Sequence, residues 1–414
     1  MDYKKSFFKL YNGEYKVLME NFISLSALQG FNILIPLITL PYILNVIGFE
    51  KYGVVVLANS LIVYFQAITD YSFKITATRD VSIFKGNKIK LNLIYSKVFF
   101  IKSLFLIFSC IIISGLIFIV PAFYEERLVF FCSMPLLVGY ALFPDWFFQG
   151  IEKMKYITLL NLSIKIFFLI TIFLFVKEEE DYWLYSLLQS CGFFIAGVLG
   201  QIIIYKRYSI RFVRIRFREL WIAIKLNFPI FINQFVPTLY NNTSGFLLGL
   251  ISGDFYLGVF SAIRKIVDII LIFLNIISRV FFPYLNRRKS FFNKYKTYML
   301  YLGTGMCIFP ILFYMPIKWY LNLTYDRSFL VLSILSVGII FFTLYDVFGT
   351  NYFLVRRKDK LVMKNTLIAT VVSLLLVYPL ISYFGVLGAA INLTLARALM
   401  GLGLYKEYKK QIGK

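Results

Sequence analysis

A chain of 414 residues that is 60% hydrophobic, with a mean hydropathy of +0.76, is too apolar for the soluble domains its length would allow. The net charge of +23 falls in connections between apolar runs. It reads as a topology signal with attraction to membrane lipid headgroups, and no nucleic acid is expected as a partner. There is no histidine, which excludes histidine proton relays and histidine metal sites.

Taken in order, the apolar runs predict an all-α polytopic membrane protein, because many reach the roughly 20 residues that cross a bilayer. The N-terminus, "MDYKKSFFKLYNGEYKVLMEN", lacks a compact apolar core and a cleavage site, so the first run is expected to be a retained helix. About twelve spans are predicted, at 21–46, 53–73, 93–120, 128–150, 156–176, 183–205, 222–250, 255–285, 298–317, 328–354, 364–384 and 387–405. Cys110, Cys132, Cys191 and Cys307 all lie in apolar runs and read as small buried hydrophobes.

Span four closes on "PDWFFQG", Pro144 to Gly150. Here Pro144 is expected to bend the helix and Gly150 to close it. Trp146, Phe147 and Phe148 are expected in an interfacial aromatic belt. Asp145 reads as a helix-end anchor or inner-gate residue.

Lys and Arg concentrate in alternate connections: the N-terminal tail, 74–92, 151–155, 206–221, 286–297, 355–364 and the C-terminus. Basic connections stay in the cytoplasm, so both termini are expected inside. The acids Glu125, Glu126 and Glu178 to Asp181 fall outside.

The long basic connection divides the chain into a six-helix lobe at 1–205, a cytoplasmic linker at 206–221 and a second six-helix lobe at 222–414. "GFEKYGVVV" from Gly48 and "GDFYLGVFS" from Gly253 share G-x-x-x-x-G-V at the outside turn opening each lobe. The match points to a duplicated bundle, and such repeats commonly hold substrate near the midplane.

Lys97, Lys102, Lys165, Lys225, Arg264, Lys265, Arg279 and Arg397 fall within spans, as do Asp70, Asp145, Asp268 and Asp346. Each costs roughly 2.5–3.5 kcal/mol at a helix centre unless it faces a cavity, pairs or snorkels. Lys97, Lys225 and Arg279 lie near cytoplasmic ends and are expected to snorkel. Lys102, Lys165, Arg264, Lys265 and Arg397 lie deeper and are expected to line a cationic cavity that suits a phosphate-bearing substrate. Arg264 and Asp268 share a helix face. Asp268, Asp346, Asp70 and Asp145 are candidates for gating or ion coupling.

Span seven carries Asn233, Gln234, Tyr240, Asn241 and Asn242, and span two carries Asn59 and Gln66. These are candidate sugar contacts, with helix–helix hydrogen bonding as the alternative. Pro229 and Pro237 are expected to interrupt and bend span seven. There is no Walker A glycine loop, no long outside loop and no acid–base constellation. An enzyme is therefore not expected.

Several stretches resemble Wzx-type polysaccharide flippases of the multidrug/oligosaccharidyl-lipid/polysaccharide exporter superfamily. They are Leu34 to Ser82, with its prolines, G-x-x-x-x-G turn, Asp70 to Phe73 run and "ATRD"; "PDWFFQGIEKMKYIT"; the start of the second lobe from Asn227; and "FGVLGAAI" from Phe384. The resemblance implies two six-helix bundles in a V. It implies translocation of an undecaprenyl-diphosphate-linked glycan across the bacterial inner membrane for O-antigen, capsule or exopolysaccharide assembly. It also implies work alongside a polysaccharide polymerase and a chain-length regulator. No cofactor is expected. The first helix lacks the acid that some cation-coupled relatives carry, so coupling to a proton or sodium gradient stays open. The alternatives are a cation-coupled multidrug-type antiporter, which would need an acidic cavity, and a membrane glycosyltransferase or polymerase.

Overall fold

The computed structural model describes the backbone of residues 2–412 and the side chains of residues 27–411. The described residues fold into helices joined by short turns, without β-strands. The helices are α1 (Asp2–Asp70), α2 (Phe73–Ile83), α3 (Lys88–Ile119), α4 (Pro121–Glu125), α5 (Arg127–Leu142), α6 (Asp145–Gly150), α7 (Met154–Phe175), α8 (Tyr182–Tyr208), α9 (Phe217–Ser252), α10 (Asp254–Arg287), α11 (Phe292–Leu312), α12 (Tyr314–Tyr320), α13 (Ser328–Leu344), α14 (Asp359–Phe384) and α15 (Val386–Ile412).

Among the described residues ten helices are long and apolar enough to cross a membrane, and the pair α11 and α12, bent by 60°, makes an eleventh. The helix α1 is two arms joined at Gly48, where φ is 71° and ψ 176°. Counting both arms brings the total to the expected twelve. That backbone conformation is open to glycine and costly for other residues. The protein is therefore an all-helical, multi-pass membrane protein.

The chain forms two compact units that are not consecutive halves. The first comprises 1–37, 62–177 and 181–234, and the second comprises 38–61, 178–180 and 235–414.

A 205-residue repeat is visible in the backbone. Gly48 and Gly253 both take positive φ at positions 205 apart. Glu152 and Arg357, also 205 apart, are both left-handed, with φ 59° and 57°. Each closes a helix in the same way. Lys153 N–H donates to the Phe148 carbonyl and Glu152 N–H to that of Gln149; Lys358 and Arg357 do the same to Phe353 and Leu354. Both are Schellman turns, in which the left-handed residue normally favours glycine.

This corrects the reading of "PDWFFQG". The left-handed closing residue is Glu152, while Gly150 is needed for contact: a Cβ there would lie 2.6 Å from Val81. Pro144 does separate two helices, α5 and α6, as expected. The three aromatics do not form an interfacial belt. Phe147 and Phe148 are fully buried and Trp146 nearly so, in a cluster with Tyr95, Tyr156 and Tyr208. α6 is too short to span, so it lies against α2 and α7 and its rings fill the space beneath α3.

The helix α9 runs without interruption through Pro229 and Pro237, where a break was expected. Its amides supply hydrogen bonds near the second proline: Asn241 donates to the Pro237 carbonyl at 3.0 Å and Asn242 to that of Thr238 at 2.9 Å.

The segment 209–216 between α8 and α9 is an extended strap laid on α3. Arg211 N–H donates to Asn92 Oδ1 at 3.0 Å and Val213 N–H to Ser96 Oγ at 2.8 Å. The alternation is physical: residues two apart on an extended strand reach residues four apart on one helix face. Phe212 between them packs on Phe99 and Tyr95.

Candidate functional site

The second unit holds a charged cluster on α10 and α15. The helix α10 buries Leu257, Phe260, Ile263, Val267, Leu271 and Leu274 along one stripe, the spacing of a helix with one face in a core. That register sets Arg264 and Asp268 at the flank of the buried stripe, one turn apart. Arg264 Nε lies 3.3 Å from Asp268 Oδ2. Arg397, from α15, brings its Nη2 to 3.6 Å from Asp268 Oδ1. One carboxylate thus faces two guanidiniums.

Arg397 is buried, with only 3% of its surface exposed. It fits because Gly338 of α13 leaves room: a Cβ there would lie 3.3 Å from Arg397 Nη1. Arg397 Nη1 and Arg264 Nε are both buried without a hydrogen-bond partner. Arg264 is close enough to Asp268 for charge attraction but is not aligned for a hydrogen bond. Lys265, about 100° around the helix from Arg264, is exposed. Tyr240 of α9 lies within electrostatic reach of both arginines. With Lys265 the group carries three cations and one anion. Its unmet donors suit a multiply charged oxyanion.

The other candidate charges are placed separately. In the first unit Lys102 is buried, with Nζ 2.8 Å from Asp70 Oδ1 and 3.4 Å from the Tyr140 carbonyl. Lys165 donates to Asn32 Oδ1. Asp145 pairs with Lys74 at 2.9 Å and accepts from the Trp146 N–H. Lys97 approaches Glu219 at 4.0 Å, while Lys225 and Arg279 are exposed. Asp346 is buried at a π-helical stretch, Tyr345–Phe353, in the second unit. Of the polar candidates Asn233 and Gln234 are exposed, and Asn59, Gln66, Tyr240, Asn241 and Asn242 are half-buried.

Two polar groupings were not anticipated from the sequence. Asn392 donates to Ser244 at 2.9 Å and to Ser373 at 3.0 Å. Asn351 donates to Ser278 at 2.7 Å and to Tyr295 at 2.8 Å. Single serines in apolar helices carry no pattern that foretells such partners.

The model of the family described as polysaccharide biosynthesis protein matches residues 18–289. This chain belongs to that family. A protein named "Putative O-antigen transporter" from Escherichia coli (strain K12) is 28% identical over 392 residues, covering 92% of this chain and 94% of its own. A protein of the same name from Shigella dysenteriae is 25% identical over 406 residues, covering 95% and 100%. The capsular polysaccharide biosynthesis protein CapF of Staphylococcus aureus is 26% identical over 287 residues, covering 64% and 70%.

Among solved structures, the lipid II flippase MurJ in an inward closed conformation has a TM-score of 0.68 at 14% identity, covering 94% of this chain and 87% of its own. An inward-facing multidrug resistance MATE family transporter has a TM-score of 0.62 at 11% identity, covering 92% and 95%. These likenesses show the fold. The family places the chain in polysaccharide biosynthesis, and the fold is one that these solved transporters share.

Proposed function

We propose that this family member is a flippase that carries an undecaprenyl-diphosphate-linked oligosaccharide from the cytoplasmic to the outer leaflet of the bacterial inner membrane, by alternating access. Relatives named for O-antigen transport support the glycan. The carrying observation is the group in which the buried Arg397 and the half-buried Arg264 share Asp268 and keep unmet donors. A diphosphate offers the paired oxygens that planar guanidiniums bind best. Asp268 holds the two like charges together until the oxyanion replaces it, and its return favours release.

Lys265, Lys165 and Lys102 are assigned supporting roles toward the anion. Tyr240, Asn241, Asn242, Asn233, Gln234, Asn59 and Gln66 are assigned sugar contacts. The bias of Lys and Arg toward alternate connections supports cytoplasmic termini. A polymerase and a chain-length regulator are the expected working partners.

The test is translocation of a polyprenyl-diphosphate oligosaccharide in reconstituted vesicles. The Arg264→Ala, Arg397→Ala double variant is expected to lose transport while staying folded by size-exclusion chromatography. Transport at the unaltered rate would refute the assignment of the site.

A further inference from the structure

The second unit contains a carboxyl that the anion-binding group does not use. Asp346 stands at the start of the π-helical stretch Tyr345–Phe353, and only 4% of its surface is exposed. Such stretches, with their wider backbone turns, are frequent at functional sites. Ser278, Thr350 and Tyr295 are the hydroxyl-bearing neighbours of this carboxyl. Asn351, fully buried, spends its amide N–H groups on Ser278, Tyr295 and the Asp346 carbonyl.

Two acceptors are left over, Asp346 Oδ2 and Asn351 Oδ1, both buried without a partner. Among the described residues no cation lies within ion-pair distance of Asp346. The neighbouring charged or titratable groups are Arg279 of α10, Tyr295 of α11 and Tyr345 beside it. Tyr405 and Tyr408 of α15 pack on Phe348, two residues on from Asp346, and Thr366 of α14 stands beside Tyr345. Arg279 is exposed.

A buried carboxylate without a counter-charge is costly, and the usual resolution is neutralisation. The two leftover acceptors belong to neighbouring residues of this stretch, since Asn351 Nδ2 reaches the Asp346 carbonyl at 3.3 Å, and one shared proton would satisfy both. We infer that Asp346 and Asn351 form a proton-binding site within the second unit. A proton taken up from water forms an O–H bond at Asp346 Oδ2. That converts one orphan acceptor into a donor and leaves Asn351 Oδ1 as the acceptor for it. On release the proton returns to water and the carboxylate is left beside the neighbouring hydroxyls. A metal ion fits less well, because the serine and tyrosine oxygens already accept from Asn351. Hard cations need several free oxygens. The inference stands apart from the glycan assignment, since it concerns different residues and a different ligand.

Infrared difference spectroscopy across a pH series on the purified full chain in lipid nanodiscs tests it. The expected result is a protonated carboxylic-acid carbonyl band that disappears as pH rises and is absent in Asp346→Asn. Asn351→Ala is expected to move the band, having removed its acceptor. Should Asp346→Asn fail to fold, that band shift decides the matter. Replacing potassium by sodium chloride at fixed pH is expected to leave the band unchanged. An identical band in Asp346→Asn, an unmoved band in Asn351→Ala, or suppression of the band by sodium would each overturn the inference.

Discussion

Gly53 meets the backbone carbonyl of Asp254 so closely that a Cβ would lie 1.9 Å from its oxygen. Gly258 meets the carbonyl of Phe49 in the same way, also at 1.9 Å. The two contacts are reciprocal. Each second glycine of a G-x-x-x-x-G-V copy abuts the residue after the first glycine of the other copy. A sequence echo has become a pseudo-symmetric packing contact within the second unit, where close backbone approach requires small residues. Phe49 and Phe255 flank it edge to face, with ring centroids 6.1 Å apart.

Gly53→Ala and Gly258→Ala are each expected to destabilise the protein by about 1–3 kcal/mol, because backbone cannot yield as a side chain can. Gly115→Ala in α3 is the control, since a Cβ there meets nothing within 4 Å. It is expected to be neutral or to stabilise by up to about 1 kcal/mol through helix propensity. Thermal unfolding in detergent of the three variants measures the contrast.

The pair of Lys102 and Asp70 predicts a second outcome. Lys102→Ala leaves the carboxylate without its counter-charge in a membrane helix. A loss of about 1–3 kcal/mol is expected, discounted from a fully buried pair because Asp70 remains about one-third exposed. Lys102→Leu combined with Asp70→Asn is expected to recover most of that loss. Melting temperatures of the single and double variants give the coupling directly.

Asp268 gives a prediction about binding. Asp268→Asn removes the charge that competes for both guanidiniums, so a polyprenyl diphosphate is expected to bind several-fold tighter, a gain of about 1 kcal/mol. Turnover is expected to fall, because the anion loses the group that displaces it. Titration in nanodiscs checks the first effect and vesicle translocation the second. Weaker binding in Asp268→Asn would mean that the carboxylate contacts substrate through another group.

Hydropathy made the helices legible, since any span must carry about 20 apolar residues whatever it packs against. The paired positive-φ glycines, Gly48 and Gly253, were legible for a similar reason, because their conformation restricts residue type. Arg264 and Asp268 could be paired from their spacing alone. Arg397 could not be joined to them, because α15 reaches α10 only through packing. Trp146, Phe147 and Phe148 misled for the opposite reason. Interfacial belts and buried aromatic clusters draw on the same residues at the same depth, and only the short α6 turning beneath α3 distinguishes them. Glu152 was concealed because its left-handed conformation is imposed by the turn and not announced by a glycine.

The strap of residues 209–216 carries the last prediction. Its backbone is held by two side-chain acceptors, Asn92 Oδ1 and Ser96 Oγ, and by Phe212 on the α3 aromatics. Each hydrogen bond contributes about 1 kcal/mol, so Asn92→Ala and Ser96→Ala together are expected to loosen the strap by about 2 kcal/mol without unfolding the helices. Arg211, Arg214 and Arg216, already exposed, then lie on a backbone free to enter the trypsin active site. Limited proteolysis of the double variant is expected to cleave there many-fold faster than the unaltered protein, while circular dichroism stays the same. Equal cleavage rates would mean that Phe212 packing alone holds the segment. Phe212→Ala then separates the two contributions, because it removes the ring and leaves both backbone donors in place.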